Sequence, residues 1–209
     1  MMPSWIATVT FVAFGCAAFL TTQAAAWAAT SWPRMRALPI RATPSRAVTA
    51  ALALGTGCVG SSYLLRGATL YELIVITVIC LTLDFACCCE IYFGRIPFAV
   101  TLPALALLFA SAFFSRHWMA FVSCAILTVP FAVAAFSAKG AGRCWSEVQC
   151  VMLGAIVLNF TLGILTLALA CFVAVGIALA RRKLNEPIVF APYIAFSIEL
   201  ALLTPNAVQ

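Results

Sequence analysis

The sequence predicts an all-α fold: a polytopic transmembrane helix bundle of about eight spans joined by short loops. Three observations predict it. Hydrophobic residues fill 65% of the 209 positions and charged residues only 9%, with a mean hydropathy of +1.12, far from the composition of water-soluble domains. The charged residues are gathered into short breaks, and the apolar runs between them approach the roughly 20 residues that a helix needs to cross a ~30 Å hydrocarbon core. The net charge is +6, but the basic residues occupy those breaks, where they act as topology signals. That placement excludes a nucleic-acid partner and makes the lipid bilayer the surrounding medium.

The elements follow in order. The first apolar run, about residues 5–29, has no Lys or Arg ahead of Trp5; without the basic n-region of a cleavable signal peptide it reads as a retained first span. An Arg-rich break at 31–46 precedes a second run at 47–65. Arg66-Gly67 separates this from 70–89, the stretch from Glu90 to Arg95 separates that from 97–114, and Ser115-Arg116-His117 leads into 118–137. After a break at 137–147, the apolar stretch 148–180 would form a helix of about 50 Å, too long for one span. Lys139 and Arg143 before it and Arg181, Arg182 and Lys183 after it require an even number of crossings, so a reversal is expected near 159–163. A last span covers 187–203.

Alternate threading puts Arg34, Arg36, Arg41, Arg46, Arg95, Lys139, Arg143, Arg181, Arg182 and Lys183 inside and only Arg66 and Arg116 outside, with both termini outside. The chain divides into residues 1–66, two N-terminal transmembrane helices with a short Arg-rich cytoplasmic loop, and residues 67–209, a six-helix membrane core.

The ten cysteines lie mostly inside apolar runs, where free Cys behaves as a small buried hydrophobe. Cys87, Cys88 and Cys89 are consecutive on a helix and point in different directions, so they cannot converge on one metal. Packing is their plain role, with acylation or redox chemistry as the alternative.

Six acids remain. Glu72 and Glu186 fall at interfaces, where water reaches them. Asp84 and Glu199 fall inside spans, where a carboxyl needs a partner and can act as hydrogen-bonding glue between helices. Glu90 ends the third span, at the negative end of its helix dipole, a position that calls for either an ion pair with Arg95 or a function. Glu147 opens the sixth span behind the glycine-bearing loop 139–145; Ser146-Glu147-Val148-Gln149 also fits a capping box, which would suffice to explain it. Glu90 and Glu147 belong to different helices yet share the cytoplasmic boundary. Two carboxylates brought to one site can share a proton, one acting as base toward water and the other as acid toward a carbonyl.

Three stretches resemble the type IV prepilin peptidases, the GxGD-type membrane aspartic proteases. The family's first motif is an Asp followed six and seven residues later by Ile-Pro and usually Asn; here Glu90 precedes Ile96-Pro97-Phe98 with that spacing. Its second motif is GxGD, a hydrophobic residue and Lys, then a run ending in Leu-Gly-Ala. This chain has Gly140-Ala141-Gly142, then Glu147-Val148-Gln149, then Leu153-Gly154-Ala155, with an expanded loop and one residue fewer before Leu153; a strict reading puts Arg143 at the acid position. The third stretch is Arg181-Arg182-Lys183 followed by the proline-bearing 187–192, similar to the family's basic loop and last span. The loop at 31–46 has no cysteine, so the cytoplasmic methyltransferase part of longer members is absent from the resemblance.

The resemblance implies a divergent endopeptidase of the bacterial inner membrane, cleaving leader peptides from prepilin or pseudopilin substrates at the cytoplasmic face with water and no cofactor. Glu90 and Glu147 would be the acid/base pair, and Asp84 a substitute for one of them. Glu replaces Asp at both positions, so the alternative is a catalytically inactive paralogue serving as an assembly or scaffold subunit of a pilus or secretion system. A transporter would call for paired broken helices with intramembrane charge in both halves, which the sequence lacks.

Overall fold

A computed structural model of the chain describes residues 4–31, 42–137, 144–180, 182, 189–205 and 207. The glycine-rich loop of the second motif, most of the basic residues used to orient the bundle, and Glu186 lie outside these residues. Among the described residues are eight helices: α1 (Ser4–Ser31), α2 (Arg46–Leu65), α3 (Leu70–Phe93), α4 (Phe98–Phe114), α5 (Trp118–Ser137), α6 (Cys144–Ala155), α7 (Phe160–Ala180) and α8 (Ala191–Leu202). Five of them, α1, α2, α3, α5 and α7, are long and apolar enough to cross a membrane, and the protein is a helical membrane protein. α6 and α8 have 12 residues each, or about 18 Å, well short of the hydrocarbon thickness.

Local chemistry sets the helix ends. Ser45 begins α2 by accepting from the Val48 amide at 3.3 Å. Thr69 and Glu72 form a reciprocal capping box at the start of α3, with the Thr69 amide donating to Glu72 at 2.6 Å. Glu72 is thus exposed, as expected, but it also satisfies an amide that the helix leaves open. Gly94 closes α3 in the left-handed region at φ 68°, its amide donating to the Glu90 carbonyl at 2.6 Å; this geometry carries little penalty only without a Cβ.

The sequence places the reversal at 159–163, and the structure places it at 156–159. Asn159 is not the turn's beginning but the cap of α7, its side chain accepting from the Leu162 amide at 2.9 Å. Ile156, Val157 and Leu158 are buried, so the turn's amides need partners inside the protein. Ile156 donates to Met152, Val157 and Leu158 donate to Gly154, and Asn159 donates to Ala207 at 2.9 Å.

α3 is the most enclosed of the long helices and α1 the least; α3 packs against α1, α2, α4, α6 and α8. Bulky side chains point outward, including Phe114, Phe136 and Phe172, each at least three-quarters exposed. On α7 the buried positions are Gly163, Thr166, Ala170, Ala174 and Ala178, while Leu165, Leu169, Phe172, Val175 and Leu179 face out. Lipid is as apolar as Leu, so small residues go inward, where they let helices approach closely. α2 meets α1 in the same way: a Cβ on Gly57 would stand 3.0 Å from the Phe11 carbonyl, and one on Gly60 2.4 Å from the Phe14 ring.

Contacts between helix ends establish that the helices alternate in direction. Glu90, near the end of α3, meets Ala191 at the start of α8; Phe136, near the end of α5, packs edge-on to Trp145 in the first turn of α6. At the opposite end, Arg66 after α2 meets Leu203 and Thr204 after α8, and Tyr71 at the start of α3 bonds Ser111 late in α4.

Candidate functional sites

The first of two acidic sites lies where α3, α6 and α8 meet at the Glu90 end of the bundle. Glu90 is 4% exposed and accepts from the Ala191 amide at 2.6 Å. Arg95 is exposed, and the carboxylate turns away from it toward α8. At the C-terminus of its own helix Glu90 is badly placed, but at the N-terminus of α8 its charge faces the positive end of a dipole. Arg66 completes the arrangement at the other end of α8, donating to the Leu203 and Thr204 carbonyls, the latter at 3.0 Å. An anion at its start and a cation at its end hold this short helix within the bundle.

Glu147, half-buried in the first turn of α6, faces the same region. Glu90 and Glu147 stand at one end of two helices that pack together, with the fully buried Cys150 thiol about one turn beyond Glu147 on α6. Gln149 does not reach back as a capping-box residue would. Its amide donates to the Trp145 carbonyl at 3.1 Å and its oxygen accepts from Thr101 of α4, so it ties α6 to α4 inside the core.

Asp84 is not part of this corner. It lies about a turn and a half deeper in α3, is fully buried, and accepts from the Thr56 hydroxyl of α2 at 2.9 Å. Thr56 also faces Glu199 of α8 at 3.1 Å. The structure therefore groups the predicted residues as Glu90 with Glu147, and Asp84 with Glu199. The intramembrane position of both Asp84 and Glu199 is legible in the sequence; their pairing and the part of Thr56 are not. The nearest signal is Gly55, since a Cβ there would stand 2.0 Å from Glu199 Oε2.

Cys87, Cys88 and Cys89 are each 0% exposed and packed inside the bundle. Among the described residues no group of three or more His, Cys, Asp and Glu is placed to hold a metal ion. Compared with protein-family models, curated proteins and solved structures, the chain matches none.

Proposed function

We propose that the protein is a membrane-embedded aspartic-type endopeptidase that cleaves leader peptides of prepilin-like or pseudopilin substrates at the cytoplasmic face of a bacterial inner membrane. One observation carries the reading: Glu90 near the end of α3 and Glu147 in the first turn of α6 stand at the same end of the bundle on helices that pack together. Two such carboxyls hold one proton more readily than none. The ionised member takes a proton from water while the protonated member donates to the scissile carbonyl, a division of roles set by their unequal surroundings. Glu147 is the more open of the two to water, and Glu90 is held in place by the Ala191 amide.

Following leader cleavage of a prepilin-like reporter by gel shift, with the protein bearing Glu90→Gln or Glu147→Gln, tests this. Each variant is expected to lose at least about a hundredfold in rate, the usual scale of acid/base participation. Unchanged processing in both would remove the pair from the mechanism.

A second reading is favoured by a separate observation, the Glu90 bond to the Ala191 amide. A carboxylate used to cap α8 has a structural reason to exist, and on that reading the chain is a catalytically inactive scaffold in a pilus or secretion assembly. Gln keeps a side-chain acceptor, so the scaffold reading expects Glu90→Gln to support assembly normally, with no leader cleavage by the unaltered protein either.

A further inference from the structure

We propose that Asp84, Thr56 and Glu199 form a proton-binding site at the centre of the bundle, in which a single proton is held between the two carboxyls. The argument begins with position. Thr56, Asp84 and Glu199 come from α2, α3 and α8 and are 0%, 0% and 2% exposed, so bulk water solvates none of them.

The hydrogens can be counted. The two carboxyls present four oxygens, and the Thr56 hydroxyl supplies one hydrogen, facing Asp84 Oδ2 at 2.9 Å and Glu199 Oε1 at 3.1 Å. Asp84 Oδ1 and Glu199 Oε2 are buried with no hydrogen-bond partner. Two bare carboxylates around one hydroxyl would place two uncompensated negative charges in the low-dielectric interior, where water solvates neither. Among the described residues no basic side chain acts on either carboxyl to offset it; the other described ionisable groups facing the pair are the thiols of Cys80, Cys87 and Cys88. One proton leaves a single negative charge and gives the cluster a second hydrogen to share.

The packing selects a proton over a metal cation. Glu199 Oε2 lies so close to the α2 backbone that even a methyl group on Gly55 would meet it at 2.0 Å. Thr56 already stands at hydrogen-bonding distance from both carboxyls. A sodium ion would need several more oxygens around it, at distances this contact does not leave open.

The site is separate from the Glu90 and Glu147 corner, so its test does not depend on peptidase activity. Infrared spectra of the full-length protein in lipid, at neutral pH in H2O and D2O, would be compared with those of Asp84→Asn, Glu199→Gln and the double variant. The expected result is a carboxylic-acid carbonyl band that exchanges slowly in D2O, persists in Glu90→Gln, and loses the intensity of about one group in the double variant. A carbonyl region unchanged by the double variant would overturn the proposal. If the double variant does not fold, the same comparison is made on wild type and Glu90→Gln alone: no protonated-carboxyl band resistant to D2O in either would also overturn it. Thermal unfolding in sodium against choline chloride of equal concentration separates the two cations. Equal midpoints fit a proton, and a midpoint raised by sodium in wild type but not in Asp84→Asn would replace it with a metal ion.

Discussion

Glu90 illustrates how a single side chain can be misjudged from its own helix. At the end of α3 it is an anion at the wrong pole; in the folded chain it caps α8 through the Ala191 amide. Truncation to Ala leaves that buried amide without its partner and should cost about 1–2 kcal/mol, whereas Gln retains an acceptor and should cost well under that. Denaturant titration of the detergent-solubilised protein distinguishes them, and equal losses for Ala and Gln would show that charge, not the hydrogen bond, matters at this position. Asp84 and Glu199 announce themselves in the sequence because carboxyls inside apolar runs are rare. Thr56 does not. A helical Thr ordinarily bonds a carbonyl three or four residues back, as Thr77 and Thr82 do, and nothing local reveals that Thr56 instead meets side chains 28 and 143 positions away.

Among the elements, the apolar runs, the charged breaks and Pro97 at the head of α4 make the helices readable one by one. Charge at the flanks of 148–180 calls for a reversal without fixing its exact place, and the structure sets it at 156–159, a few residues before 159–163. Asn is a favoured N-cap, and Asn159 starts α7. Which face of each helix turns inward is harder to read, because in lipid both faces are apolar and size does the sorting. The α1–α2 contact depends on this sorting. Gly60→Leu drives a branched side chain into the Phe14 ring, which a bare Cβ would already approach to 2.4 Å. The expected loss is about 1–3 kcal/mol, measured by denaturant titration, with weaker cross-linking between cysteines placed on α1 and α2. Unchanged cross-linking and stability would mean that the two helices do not rely on this close approach.

At the scale of the whole molecule, the alternating helices give the bundle two distinct ends. One carries Arg95, Arg182 and the Glu90 corner; the other carries Arg66, Ser115 and Arg116. The ten-to-two bias of basic residues along the sequence predicts that the first faces the cytoplasm. In intact cells, an impermeant maleimide should label Ser115→Cys directly and Arg95→Cys only after permeabilisation, with the unaltered chain as control for labelling of its own cysteines. The reverse pattern would invert the orientation and move the Glu90 and Glu147 corner away from a cytoplasmic substrate. The sequence by itself determined that the protein is a membrane helix bundle, where its helices begin and end to within a few residues, and that its few acids need partners. These are consequences of transfer energy and backbone hydrogen bonding, which act along the chain. Only the tertiary structure decided that Glu90 serves α8, that Glu147 joins it near Cys150, and that Asp84 belongs with Glu199. Which buried carboxyl meets which depends on how helices distant in sequence pack side by side, and hydropathy carries no record of that.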